Sequence, residues 1–449
     1  MAARRGPSQR RQQAAAATAG RHAPLAADAG DALRRALDTP AAHVFTQLFD
    51  PPLAPTGSGA LDGWLVSIKD LFDLRGWPTW AGARLRRELL PAPPAAADAA
   101  AVARLRAAGA TLVGKTNMSE FAFSGVGLNP HFGTPANPAC GAGPARIPGG
   151  SSSGAAVSVA LGIARAGLGS DTGGSLRIPA ALCGLVGFKP TRTRVPVAGA
   201  FPLATSLDTV GAIVRSVADA RVVDGVLAGE PLKTMGTPLS KLKLAVARGP
   251  LFDGLDAEVA QAVEQALDAL RAAGAALDEA TWAEFGEVAA LNQPGGLSPI
   301  EAYALHRPWF EQHAAAYDPR VAARIALGRG VSAADYWRLL QARAEWAARV
   351  HARLAPYDAL LAPTVPLAAP RIAALLHDDA EFFRVNGLLL RNTFAFNFAD
   401  GCALSLPCQA ADAPCPVGLM LAQAPGADAR LLDAAEAVEQ ALVAAGLGR

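Results

Sequence analysis

Two short runs in the middle of the chain hold the residue types that acyl-transfer chemistry needs. Gly149-Gly150-Ser151-Ser152-Ser153-Gly154 and Asp171-Thr172-Gly173-Gly174-Ser175 flank an Ala/Val-rich segment that can form one buried helix. Glycine has no side chain to block a ligand from backbone N–H groups, and it tolerates unusual backbone angles. Serine hydroxyls in such runs are candidate nucleophiles, provided a base removes the proton as they attack. Either run alone reads equally well as a turn bounding a core helix.

A base is offered upstream. Leu65-Val66-Ser67-Ile68-Lys69-Asp70 is a strand-like run that ends in adjacent opposite charges. From residue habits alone this pair is a solvated turn. A lysine acts as a base only when uncharged, which requires desolvation or a cationic neighbour, and Lys69 at the end of an apolar strand suits that requirement.

The wider pattern resembles the amidase signature family, serine hydrolases with a Ser-Ser-Lys constellation. The resemblance is carried by Pro148 to Thr191: the two Gly/Ser runs, then Leu176-Arg177-Ile178-Pro179 and Cys183-Gly184-Leu185-Val186-Gly187-Phe188-Lys189-Pro190-Thr191. It implies Ser175 as nucleophile, Ser151 as bridging serine held by a cis peptide, and Lys69 as base, from the block Ser67 to Ala83. The backbone amides of Thr172, Gly173, Gly174 and Ser175 are the oxyanion donors it implies, with Asp171 and Arg177 bracing the loop. Ala122 and Phe123, within Lys115 to Phe123, are implied channel walls, with core packing as the equal alternative. Gly149 and Gly150 are added as substrate-binding positions. Ser206 to Gly211 matches a block that supports the site from outside. The implied fold is three-layer α/β/α around a large mixed sheet, in one domain over residues 31–449, with a variable helical substrate lid at about 291–353.

Other readings stand beside this one. Gly150-Ser151-Ser152-Ser153-Gly154 matches GxSxG, the α/β-hydrolase nucleophile elbow with Ser152 central, but that motif must follow a strand and Gly143 to Gly149 reads as a loop. A P-loop is excluded, since neither run carries GxxxxGK[ST]. The same family includes the glutaminase subunit of tRNA-dependent amidotransferase, which works with partner proteins, and a non-catalytic scaffold is a further alternative. The resemblance is nearer to stand-alone amidases, so the expected reaction is hydrolysis of a small carboxamide to an acid and ammonia or an amine, without cofactor or metal.

Composition sets limits. A net charge of +2 over 449 residues gives no field to attract nucleic acid. Five cysteines lack CxxC or Cys/His spacing, which points to reduced thiols in a cytoplasmic protein rather than a disulfide framework or zinc site. The seven histidines form no HExxH pattern. No long apolar run predicts a membrane span. The Arg-bearing residues 1–30 read as a disordered tail, not a secretory or twin-arginine signal. A homodimer is left open.

Along the rest of the chain the patterning predicts an amphipathic helix from Asp31 to Phe49, a loop at Pro51-Pro52, and a helix from Ala96 to Ala108 stopped by Gly109. Strands are predicted at Thr111 to Gly114 and Lys241 to Ala247, and a helix at Asp256 to Ala273. The stretch Leu291 to Arg353 is expected to be helical with a break at Pro294-Gly295-Gly296. Strands follow at Asp358 to Thr364, Ala403 to Pro407 and Pro416 to Leu421, then a closing helix from Asp428 to Ala445 with Asp428 as N-cap.

Overall fold

A computed structural model describes residues 42–448. Its frame is an eleven-stranded mixed sheet. In chain order the strands are β1 (Phe45–Leu53), β2 (Leu65–Lys69), β3 (Thr111–Thr116), β4 (Ala166–Ser170), β5 (Val186–Lys189), β6 (Val210–Val214), β7 (Lys243–Arg248), β8 (Ala276–Thr281), β9 (Ala359–Pro363), β10 (Cys402–Pro407) and β11 (Gly418–Gln423). Their spatial order is β1-β3-β2-β4-β6-β5-β10-β11-β9-β7-β8. Strand β2 runs parallel to both β3 and β4, β7 runs parallel to β8 and β9, and the other pairs are antiparallel.

The central strands are buried along their whole length, as expected for a sheet covered on both faces. Side chains alternate between faces, so neighbours on one strand feed different cores. In β6, Val210, Ala212 and Val214 join the larger core, whereas Ile213 joins a smaller one with Ala155, Ala156, Val157 and Leu176. Helices Ala100–Ala107, Val217–Ala228, Asp428–Ala444 and Ala257–Ala272 pack in succession over the larger core, and Ser153–Ala160 and Arg177–Leu182 cover the other face. The result is the expected α/β/α layering.

Several elements fall where patterning put them, including β2, β3, β7, β9, β10 and the helix Ala257–Ala272. Five expectations need correction. The predicted helix Asp31 to Phe49 lies partly outside the described residues, as does the tail at 1–30, and its described end is strand instead. Residues from Phe45 pair antiparallel with β3, and Pro51 and Pro52 extend that strand rather than a loop, because a sheet edge tolerates a missing N–H. The segment between the two Gly/Ser runs is a short helix followed by β4, not one helix. Asp428 is the first helical residue rather than the cap; its carboxylate accepts from the Thr191 N–H and hydroxyl. Finally, Cys140 and Cys415 form a disulfide, leaving Cys183, Cys402 and Cys408 as buried thiols.

The helix Ser153–Ala160 enters with no room to spare. Gly154 N–H donates to the carbonyl of Asn117, whose own N–H donates to Val44. A Cβ at residue 154 would collide with the Val44 carbonyl oxygen and the Asn117 backbone. We therefore expect Gly154→Ala to destabilise the protein by about 1–3 kcal/mol despite its better helix propensity, read as a lower urea midpoint with unchanged slope.

Candidate active site

Strand β2 delivers Lys69 at its end, and both Lys69 and the adjacent Asp70 are fully buried. The solvated-turn reading of this pair therefore fails. Asp70 is matched by the buried Lys115 of β3 at 3.2 Å. Among the described residues Lys69 has no such partner. Its Nζ lies 2.7 Å from Ser151 Oγ and 2.8 Å from Ser170 Oγ at the end of β4. Burial lowers its pKa to about 7 against the opposing pull of Asp171 and Asp208. Near neutral pH a large fraction of this amine is therefore free base.

Ser151 follows a cis Gly150-Ser151 peptide, as the resemblance implied. Ser175 sits on the wall of a cavity of about 540 Å³ together with Thr172 and Gly173. No hydrogen bond among the described residues ties its hydroxyl to Ser151. Ser152 is fully buried beneath the loop, and its hydroxyl donates to the Ser170 carbonyl, so the nucleophile-elbow alternative lacks an accessible serine.

The loop 171–176 is wound around one carboxylate. Asp171 accepts from the N–H groups of Gly174 and Leu176, from Nε and Nη2 of Arg177, and from the side-chain amide of Asn397. Burial alone would raise its pKa, but Arg177 and these donors hold it near 2. This assignment removes Gly174 from the expected oxyanion donors, because its N–H is already committed. The N–H groups of Thr172, Gly173 and Ser175 have no acceptor among the described residues.

Four further positions were not legible beforehand. Ser170 is the second hydroxyl on Lys69. Asp208 accepts from the Thr172 hydroxyl at 2.6 Å and from the N–H groups of Leu203 and Ala204. Burial raises its pKa to about 6. Asn397 and Thr393, both on the helix Asp379–Phe398, hold Asp171 and the Gly173 carbonyl. Only the Ser206-to-Gly211 block gave any sequence signal for one of them.

The cavity wall includes Ala122 and Phe123, both expected there. Phe121 and Ala122 turn with positive φ, which presents this wall. Gly149 and Gly150 do not line it. Gly149 packs on Pro179 and Leu182, and Gly150 on Gly127 and Ser119, so these glycines serve close backbone packing. His306 is buried among Phe121, Tyr317 and Trp309 with its Nδ1 3.1 Å from the Tyr317 hydroxyl. Among the described residues no group of His, Cys, Asp and Glu could hold a metal ion.

The site thus brings together a buried lysine beside a serine, a second serine on the cavity wall and loop amides without an acceptor among the described residues. Residues 52–432 match the Amidase family model, and the chain belongs to that family. It is 37% identical to 2-amino-5-chloromuconic acid deaminase of Comamonas testosteroni over 85% of this chain and 82% of that protein. A glutamyl-tRNA(Gln) amidotransferase subunit, from Anaeromyxobacter sp. (strain K), is 35% identical over 85% and 83% of the two chains. A crystal structure of an amidase superposes with a TM-score of 0.81 at 32% identity, covering 97% of this chain and 99% of the other. The protein is thus an enzyme that hydrolyses amide C–N bonds.

Thr393 Oγ1 donates to the Gly173 carbonyl at 2.6 Å and so sets the tilt of the free amides. Thr393→Val keeps the shape and loses the bond. We expect kcat to fall by about tenfold with KM nearly unchanged, and Thr393→Ser to restore it; a parallel loss in both variants would reduce the residue to packing.

Proposed function

We propose that the chain is a stand-alone amidase that cleaves a small carboxamide through an acyl-enzyme on Ser175. Lys69, as free amine, accepts the Ser151 proton while Ser151 accepts that of Ser175. Ser175 Oγ attacks the carbonyl carbon, and the oxyanion is received by the N–H groups of Thr172, Gly173 and Ser175. Each such donor contributes about 3 kcal/mol to transition-state stabilisation. Ser151 then passes its proton to the leaving nitrogen. That help is worth about 100 to 10,000-fold, because an amide anion is a very poor leaving group. Water hydrolyses the acyl-serine and restores the enzyme.

The observation that carries this reading is the buried Lys69 amine 2.7 Å from Ser151 Oγ, together with Ser175 on the wall of the cavity. Residues 291–353 act as a substrate lid in this proposal: Asn292, Gln293, Ser298, Pro299 and Leu327 border the cavity. A reading as the glutaminase component of an amidotransferase is favoured by the Anaeromyxobacter relative. Against it, end-to-end coverage of a structure described only as an amidase supports independent action.

The proposed partner is the amide alone, in line with a net charge of +2. No helix among the described residues is long and apolar enough to cross a membrane. A cytoplasmic location belongs to the proposal on the support of three buried thiols. The Cys140–Cys415 bond argues the other way, since disulfides persist mainly in oxidising compartments. Thiol alkylation at cell lysis decides between them.

Intact mass after exposure to a fluorophosphonate tests the nucleophile. One adduct on the wild type and on Ser152→Ala is expected, with none on Ser175→Ala. An adduct that survives Ser175→Ala would sink the assignment. Ammonia release from simple amides by the isolated chain, set against release from glutamine, separates the amidase from the glutaminase reading.

A further inference from the structure

Three α-helices among the described residues carry a glycine within them: Gly154 in Ser153–Ala160, Gly225 in Val217–Ala228 and Gly387 in Asp379–Phe398. Glycine loses more backbone entropy in a helix than alanine does, so each position calls for a reason. For two of them the reason is close packing. A Cβ at Gly154 would strike the Val44 carbonyl oxygen, and one at Gly225 would meet Pro231 Cα at 3.1 Å. At Gly387 a Cβ would meet nothing within 4 Å among the described residues. Its φ is not positive either, so the backbone does not demand glycine.

What Gly387 borders is the cavity that holds Ser175. Gly387, Leu390, Arg391 and Phe394 share one helical face, and all of them line that cavity. Leu390 and Phe394 lie against the 171–176 loop: a Cβ at Gly173 would meet Leu390 Cδ2 at 3.2 Å and Phe394 Cδ2 at 3.3 Å. Gly387 is one to two turns nearer the helix start, about 5–10 Å along the axis from those contacts. It is exposed, whereas Leu390 and Phe394 are half-buried. The face therefore runs from the loop toward solvent, first over apolar side chains and then over bare backbone.

The helix is pinned on both sides of the gap. Asn386 Oδ1 accepts from the Ser124 hydroxyl at 3.1 Å and from the Gly125 N–H at 2.9 Å. Beyond it, Thr393 Oγ1 donates to the Gly173 carbonyl. The space at residue 387 is thus kept open by fixed walls, at a cost in helix stability that neither packing nor backbone geometry requires.

We propose that Gly387 is a specificity-determining residue whose missing side chain leaves a lane along this helix for the distal part of an extended apolar acyl group. The nearer part of that group lies on Leu390 and Phe394. The proposal rests on the reading above, in which the amide is cleaved at Ser175.

Ammonia release is measured on propionamide, butyramide, hexanamide and octanamide with the wild type, Gly387→Ala and Gly387→Leu. The wild type should give hexanamide or octanamide a higher kcat/KM than propionamide. In Gly387→Leu the octanamide-to-propionamide ratio should fall by about tenfold, mainly through KM, the scale of a methylene misfit in an apolar pocket. Gly387→Ala should fall between. Both variants should show a higher urea midpoint than the wild type, because the helix gains what the lane loses.

A wild type that favours propionamide over both longer amides, or a ratio that Gly387→Leu leaves unchanged, would overturn the proposal. So would a lower urea midpoint in Gly387→Ala, which would show that the glycine serves packing. The wild-type profile decides even if a variant fails to fold. Failure of the Ser175 reading shows separately: a fluorophosphonate adduct that survives Ser175→Ala, with a ratio that still responds to residue 387, keeps the lane and moves the nucleophile. If no amide of the series is hydrolysed, calorimetric titration of Ser175→Ala with octanamide decides. Binding that an added Gly387→Leu weakens upholds the lane, and absent or equal binding overturns it.

Discussion

The burial of one amine governs this structure. Lys69 ends a central parallel strand and is fully buried, and its charged form is disfavoured enough to bring its pKa to about 7. A lysine in water would be protonated and useless as a base. Here burial in the sheet excludes solvent, Ser151 and Ser170 hold the nitrogen, and among the described residues no carboxylate forms an ion pair with it. Asp171 and Asp208 act on it at longer range and oppose the shift, which burial dominates.

That explains why so much of the surroundings is devoted to occupying Asp171. Arg177 and Asn397 hold its carboxylate, and two loop amides complete its coordination. The same contacts fix the 171–176 loop in a shape that leaves the N–H groups of Thr172, Gly173 and Ser175 without an acceptor among the described residues. One buried charge pair thus both restrains the field at Lys69 and fixes the loop that the proposed mechanism uses to receive negative charge. Removing either partner would leave the other buried and unpaired, at a cost of about 3–5 kcal/mol.

What the sequence made legible was local. The β2 run and the two Gly/Ser runs lie in continuous segments, and it was the family resemblance carried by those segments, not the residues taken singly, that pointed to Lys69, Ser151 and Ser175. What it hid was assembled across long separations. Thr393 and Asn397 meet the loop from a helix more than 200 positions downstream, and Arg324 meets Phe123 in the same way. Nothing near Cys140 announces Cys415, 275 residues away. Local periodicity also misled at Phe45 to Phe49, where an edge of the sheet claimed residues that could have formed a helix. Gly174 shows a finer limit: its position in a glycine run suggested an oxyanion donor, and only the geometry reveals its N–H spent on Asp171.

The central claim is that desolvation makes Lys69 the base. The direct test is the rate of Ser175 fluorophosphonylation as a function of pH, in the wild type and in Lys69→Met. In the proposed mechanism the free amine is the active form, so the wild-type rate should rise with pH through about 7 and level off above it, the midpoint following the lowered pKa, and Lys69→Met should lose both the rate and the break. A wild-type profile that keeps rising toward pH 10, or a break that survives in Lys69→Met, would contradict the account.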